Sequence, residues 1–317
     1  MATPNSSFTN VTALSWADRK KELADNLALS NVLWAELSRK GRIKPYDGGT
    51  KIEVPIMFGG PTAQAYSGAE PLNVADSDMF TIAEFEMKQY AAACTLTGRE
   101  KAQNSGGGKL LDLYDSKMEA TETSLINTLN ADAYLVGTAS NGKTLGGLKL
   151  LVSDDGTGTV GGIVSGTYTW WKNSFYNGDA TTTLNVQQEL NALWALCQRG
   201  AGQSERPDFG LMGSTFWTFY MASLQTLQRF VDSKTAAVGF AATDYLGTNM
   251  YLDNTNPVAT DCFLLNSKYL ALKPHKDFDM VALNRPAPVQ DVETTFLVWY
   301  GNMVVSNRAR QGVLIGA

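Results

Sequence analysis

An α+β fold is the class this sequence predicts, and three observations carry the prediction. Residues 51–58 and 79–97 alternate apolar and polar side chains, as the arms of a long β-hairpin do. Residues 104–136 place apolar side chains at intervals of three, four and seven, the longest helical signal in the chain. Near the C-terminus, 262–272 (CFLLNSKYLAL) and 294–305 (TTFLVWYGNMVV) read as two strong strands.

Taken in order, residues 1–14 read as an extended polar arm. Ser15 with Asp18 three residues on resembles a capping box, and Leu23, Leu27, Trp34 and Leu37 recur at helical spacing, with Ser30 placed to restart the helix midway. Basic residues flank this stretch: Arg19, Lys20 and Lys21, then Arg39, Lys40, Arg42 and Lys44. Gly41, Pro45, Gly48 and Gly49 end it. In the hairpin, Ile52, Val54, Ile56 and Phe58 share a face, and Pro55 marks an edge strand or a bulge. The tip, Gly59 to Ser77, is rich in Gly, Pro, Ala and Ser. On the return Phe80 and Ile82 share one face and Phe85 and Met87 the other, which predicts a register slip near Ala83–Glu84. A lone two-stranded ribbon is marginal in water, so the hairpin is expected to need a neighbouring chain.

The helix over 108–136, with Leu111, Tyr114, Met118, Leu125, Leu129, Asp132 and Val136 on one face, would be ~43 Å long. That suits a spine bracing something extended. Gly137 follows as its C-cap. Residues 137–166 are rich in turns. A helix over 185–199 buries Val186, Leu190, Leu193 and Cys197, with Asn185 as its cap. A short strand at 209–212 precedes a helix capped by Ser214, with Trp217, Met221 and Leu224 expected inward. This strand–helix alternation implies a small α/β unit. A loop with Pro274, Pro286 and Pro288 joins the two C-terminal strands.

Composition narrows the function. The chain has 317 residues, 44% of them hydrophobic and 18% charged, enough for a sizeable core. A net charge of −5 argues against a protein that coats nucleic acid by counterion release. One histidine, His275, leaves little room for a multi-histidine metal centre. Cys94, Cys197 and Cys262 lie far apart without metal-ligand spacing, which reads as a reducing folding environment. No apolar run is long enough to span a membrane, and residues 1–10 lack the regions of a signal peptide.

The sharpest chemical motif is Gly137-Thr-Ala-Ser-Asn-Gly-Lys143-Thr144, which fits the P-loop pattern in full. A phosphate cradle needs a strand before the loop and a helix after it. Here a long helix precedes and Gly146-Gly147 follows, at a cost of ~2 kcal/mol to a helix there, so Lys143 is read as non-catalytic. Ser214 lacks the outer glycines of a nucleophile elbow. His275 reads as a loop histidine. Asp154-Asp155-Gly156 reads as a turn, since the ligand spacing of a calcium loop fails. Gly106–Gly108 reads as a hinge in preference to an anion nest, and the Trp170-Trp171 pair as packing in preference to base stacking.

Three stretches together carry a family resemblance. They are the hairpin with GREKAQNSGGGKLLDLYDSKMEAT (98–121); TYTWWKNSFYN with LNALWALCQRG and RPDFGLMGS; and CFLLNSKYLALKPHKDFDM with LVWYGNMVVSNRARQGVLIG. In this order and spacing the chain resembles the major capsid proteins of tailed bacteriophages, with the Hong Kong 97-like coat fold, from about residue 15 onward. The resemblance implies an N-terminal arm (1–49), an extended E-loop (50–97), a P domain on the spine (98–150 and 262–305) and an A domain (151–261 and 306–317). It also implies a structural, non-enzymatic protein of the virion, assembled in the host cytoplasm. Pentamers and hexamers would form an icosahedral shell around double-stranded DNA, which is contacted nonspecifically. No cofactor, metal or membrane is expected. A portal protein is an expected partner, and so is a separate scaffolding protein, because the chain opens on a short arm with no fused scaffolding segment. Two other classes remain open: a nucleotide hydrolase using Lys143, and a decoration or tail protein binding other surfaces.

Some relatives weld this loop to a neighbour through a lysine–asparagine bond. Between Ile52 and Met87 there is no Lys, Arg or His, but there are Glu53, Glu70, Asp76, Asp78, Glu84 and Glu86. Such a ribbon calls for cationic partners on adjacent subunits. The candidates are Arg39, Lys40, Arg42 and Lys44, or Arg99, Lys101 and Lys109. A noncovalent shell is the expectation.

Overall fold

The computed structural model describes residues 31–74, 78–103, 107–178, 186–200, 202, 205–225, 242–254, 259–284 and 292–316. The expected arm, the capping residues Ser15 and Asp18, Asn185, Asp76, and the side chains of Lys101, Lys109 and Leu111 lie outside what is described. Helix α1 (Val32–Arg39) opens at Asn31, whose Oδ1 accepts from the N–H groups of Leu33 and Trp34 at 2.8 and 3.3 Å. That carboxamide satisfies two of the orphan donors of a helix start.

Strands β1 (Lys51–Met57) and β2 (Phe80–Glu86) pair antiparallel from Lys51↔Glu86 to Met57↔Phe80. The pairing runs unbroken through Ala83–Glu84, so the expected register slip is corrected. Apolar residues of both parities are instead set on two different faces. The return expected over 79–97 as one strand is two. After Met87, β3 (Lys88–Thr97) leaves the hairpin and pairs with the central strand of another sheet. That strand, β13 (Val292–Val305), is flanked on one edge by β3 and on the other by β11 (Leu270–Pro274) and β12 (Val281–Asn284).

Helix α2 (Gly98–Gln103) starts with a reciprocal capping box. The Thr97 N–H donates to Glu100 Oε2 at 3.0 Å, and the Glu100 N–H donates to Thr97 Oγ1 at 3.3 Å. The spine helix α3 (Gly107–Asp132) has 26 residues and a length of about 39 Å. It lies along β3, and Tyr114 bonds Thr295 of β13 at 3.3 Å. Met118, Leu125 and Leu129 are buried as expected. Val136 is not: the helix ends four residues earlier and Val136 is exposed, while Ile126 takes the inner place. After the short helix α4 (Leu148–Leu151), β4 (Thr159–Val160) and β5 (Ile163–Val164) form a small hairpin.

The second large sheet has six strands in the order β6 (Ser174–Gly178), β14 (Gly312–Gly316), β10 (Cys262–Leu265), β7 (Phe209–Met212), β9 (Thr248–Leu252), β8 (Ala242–Tyr245). The stretch 262–272 is therefore not one strand. The Asn266 carboxamide accepts from the Lys268 N–H at 3.0 Å, turns the chain through 267–269, and hands it from this sheet to the spine sheet. Helix α5 (Val186–Cys197) buries the four residues expected. Helix α6 (Ser214–Gln225) is rotated from expectation. Phe216 and Tyr220 are buried, and Trp217, Met221 and Leu224 flank them half-buried. One core joins α1, the inner face of the β1–β2 hairpin, the spine helix and both sheets; a second lies under α5 and α6.

Candidate inter-subunit surface

The hairpin has two unlike faces. On one, Ile52, Val54, Ile56, Ala83 and Phe85 are buried in the main core of their own chain. Each large apolar side chain buried this way contributes roughly 1.5–3 kcal/mol. Gly161, in the β4–β5 turn, sets the fit: a Cβ there would lie 2.8 Å from Ala83 Cβ, at φ +61°, and its carbonyl accepts from the Glu84 N–H at 3.0 Å. Phe58 stacks on Trp170 at 5.2 Å. The root of the hairpin is thus anchored within its own subunit, which corrects the expectation that the whole ribbon depends on a neighbour.

The opposite face points to solvent. It carries Lys51, Glu53, Pro55 and Met57 opposite Glu86, Glu84, Ile82 and Phe80. Charges occupy the root end and apolar side chains the tip end, where Met57 is 71%, Phe80 69% and Ile82 52% exposed. The tip beyond is open: Tyr66, Leu72 and Val74 are all exposed. Met57 and Phe80 are cross-strand neighbours on this face, with Ile82 next along the strand, so the face offers exposed apolar side chains in place of a polar one. Apolar residues at both parities of β2 are the sequence signal of this two-faced strand, and a register slip would leave the same pattern.

Of the acidic candidates, Glu84 pairs with Lys51 and Glu86 with Lys88, both at the hairpin root. The Lys88 ammonium holds the Glu86 carboxyl below its usual range, and Glu84 raises Lys51. Glu53 sits opposite Glu84 in the register, a like-charge pair that Lys51 relieves. Glu70 accepts from the Ser67 N–H at 3.2 Å within the tip. Glu53 and Asp78 are exposed without an ion pair among the described residues.

The basic candidates divide. Arg39 forms a two-pronged contact with buried Glu36 (3.1 and 2.7 Å), whose Oε1 also accepts from Tyr251 at 2.6 Å. Lys40 pairs with Asp208 at 2.6 Å and lies over the Phe209 ring. These two are spent inside their own chain. Arg42 is half-buried; Lys44 and Arg99 are exposed.

The stretch LVWYGNMVVSNRARQGVLIG, part of the family resemblance, is a structural junction. Asn302 Nδ2 donates to the Glu86 carbonyl at 2.7 Å, and its Oδ1 accepts from the Gly146 N–H at 3.2 Å, tying hairpin root and spine end to β13. Arg308 is fully buried and donates to the carbonyls of Leu151 and Trp171 (2.8 and 3.3 Å), Asn173 Oδ1 (2.9 Å) and Ser153 Oγ (3.2 Å). Burial pulls its pKa down to about 10. Gln311 exchanges two hydrogen bonds with the Asn266 backbone.

The P-loop match does not form a cradle. Ser140, Asn141 and Gly142 are left-handed (φ +51°, +58° and +74°), Lys143 points to solvent, and the next helix, α4, is four residues long. Lys88 Nζ donates to the Gly142 carbonyl at 2.6 Å. Asp155 accepts from the Thr157 N–H at 2.9 Å in a turn. His275 Nδ1 accepts from the Asp277 N–H at 3.1 Å. Trp171 is buried, with Nε1 donating to the Val160 carbonyl at 3.0 Å. Among the described residues no group of three or more His, Cys, Asp or Glu could hold a metal ion, and no helix is long and apolar enough to cross a membrane.

A spine helix laid along a long-stranded sheet, a projecting hairpin and a second sheet flanked by two helices define the fold of tailed-phage capsid proteins. The chain has this fold, and solved structures match it across most of its length. It is similar to the capsid asymmetric unit of cyanophage A-1(L), at 15% identity and a TM-score of 0.61 over 92% of both chains. It is similar to the capsid of the native GTA particle, at 12% identity and 0.57 over 89% of this chain and 90% of that one. The capsid of Myoviridae phage XM1 gives 10% and 0.57 over 88% and 90%. No protein-family model matches the sequence, and no curated protein does.

Proposed function

We propose that this chain is a structural shell subunit: a major capsid protein that associates with copies of itself as pentamers and hexamers in an icosahedral, virion-forming shell around double-stranded DNA. The observation that carries the reading is the hairpin. Its inner face is anchored on its own subunit, while its outer face presents Met57, Phe80 and Ile82 to solvent. A second subunit supplies the missing cover. Similarity to phage capsid structures over about nine-tenths of both chains supports the same reading. Within it, residues 1–49 act as an arm, the hairpin as the E-loop, the spine sheet and helix as the P domain, and the six-stranded sheet as the A domain. Assembly in the host cytoplasm, a scaffolding protein and a portal are part of this reading, and the net charge of −5 suits a wall that packed DNA should not adhere to. Catalysis has no part in it, because Lys143 lacks the strand–loop–helix context of a phosphate cradle. The test is gel filtration with negative-stain microscopy of the purified chain. Rings, capsomers or shells support the reading; a lone monomer that responds to nucleotide refutes it.

A further inference from the structure

Three cations share one face at the edge of the spine sheet, and no carboxylate answers them. The segment before the hairpin runs beside β11: the Lys44 N–H donates to the Leu272 carbonyl at 2.9 Å, and the Leu272 N–H donates to the Arg42 carbonyl at 3.1 Å. Side chains alternate along extended backbone. Ile43 and Leu272 pack into the core, so Arg42, Lys44 and Lys273 turn to the opposite face.

The lysines that flank these three in sequence are paired: Lys40 with Asp208, Lys268 with Glu205 and Lys276 with Asp47. Arg42, Lys44 and Lys273 have no ion pair among the described residues. Arg42 Nε is buried and has no hydrogen-bond partner among them. A buried donor without an acceptor marks a place where another group belongs. Burial, and then the nearby Lys44 charge, hold the Lys273 ammonium below its usual pKa. Like charges gathered in this way repel one another until an anion joins them.

The hairpin carries the complementary charge. Glu53 sits opposite Glu84 in the strand pairing, so two carboxylates leave the ribbon on one face from Cβ atoms about 5 Å apart. Lys51 pairs with Glu84 and Lys88 with Glu86, which leaves Glu53 exposed and without an ion pair among the described residues. Ile52 and Val54, buried on either side of it, fix its backbone. This surplus carboxylate lies on the hairpin face that the shell reading gives to a second copy, which favours a carboxylate over a phosphate as the missing anion.

We propose that Arg42, Lys44 and Lys273 form a carboxylate socket, and that Glu53 of a second copy fills it. The socket rests on the shell reading. Opposite charges matched in this way fix the register between copies more than they add affinity.

The test is a charge swap in the full chain, with the concentration at which particles form read by light scattering and microscopy. Lys44→Glu with Lys273→Glu should raise that concentration about tenfold, and Glu53→Lys should do the same. All three changes in one chain should bring it back to within about threefold of the parent. Thermal melts of the unassembled variants check folding. Lys44 and Glu53 are exposed, so Lys44→Glu and Glu53→Lys carry the swap by themselves should Lys273→Glu unfold the chain. Separate changes without effect, or a combined chain that assembles no better than they do, overturn the socket, while particles of the parent keep the shell reading. Unaffected particles together with lost binding of a labelled DNA duplex give the three cations to phosphate and also overturn it. A parent chain that forms no assembly removes the shell reading and the socket with it.

Discussion

Two buried ionisable side chains work in opposite directions. Arg308 has no carboxylate partner in its hydrogen-bond set and is held by two carbonyls, a carboxamide and a hydroxyl. Its removal takes the side-chain donor from the carbonyls of Leu151 in α4 and of Trp171, while Asn173 Oδ1 keeps its two donors on Ser153, so Arg308→Met should cost about 3–5 kcal/mol. Urea unfolding of the isolated subunit measures it, and a loss below about 1 kcal/mol would remove Arg308 as the junction. Asp261 is fully buried and meets Lys149 at 3.2 Å. Burial nevertheless raises its pKa, with Lys149 only partly opposing the rise. The folded state therefore binds the proton more tightly than the unfolded state. Its ionisation costs stability, and the cost fades as pH falls through the raised pKa. Asp261→Asn should leave melting temperature at pH 7 unchanged or higher, with the gap closing on acidification. A variant that melts lower at pH 7, with no change on acidification, contradicts this.

At the scale of the element, the hairpin is rigid at its root and open at its tip. Gly161→Ala would push a methyl into Ala83 and strain a left-handed residue, loosening the root by about 1–3 kcal/mol. Ile82→Lys, on the solvent face, should change stability by no more than about 0.5 kcal/mol and yet block assembly. Thermal melts paired with gel filtration separate the two effects. Residues 59–78, few of them apolar, should exchange amide hydrogens quickly in the free subunit and slowly in particles; equal protection in both would mean that the tip needs no neighbour. The elements themselves were largely legible in sequence: β1, the spine, α5 and β13 follow from periodicity and caps. What periodicity could not show is which sheet a strand joins. β3 continues β2 with one residue between, and Asn266-Ser267-Lys268 only briefly interrupts the apolar stretch 262–272, so both changes of sheet are settled by tertiary pairing. The Glu36–Arg39 pair is an i,i+3 contact that helical spacing already offers, whereas Asp208 reaches Lys40 only in the fold.

On the scale of the whole molecule, both lysines that border the hairpin are engaged at its root, Lys51 with Glu84 and Lys88 with Glu86 and the Gly142 carbonyl. The tip has no amine to donate to a covalent weld. Boiled in SDS, particles should run as one band near 34.3 kDa, and a ladder of oligomers would contradict a noncovalent lock. Two of the six acidic candidates are paired at the root, so the cover of Met57, Phe80 and Ile82 should dominate the lock. Raised salt should loosen particles only modestly. The claim beneath all of this is that the outer face of the hairpin is completed by another copy of the chain. Cryo-electron microscopy of the purified protein tests it most directly. Closed shells or capsomer rings in which a neighbouring subunit covers Met57, Phe80 and Ile82 are the predicted result; a stable monomer whose hairpin projects bare into solvent would contradict it.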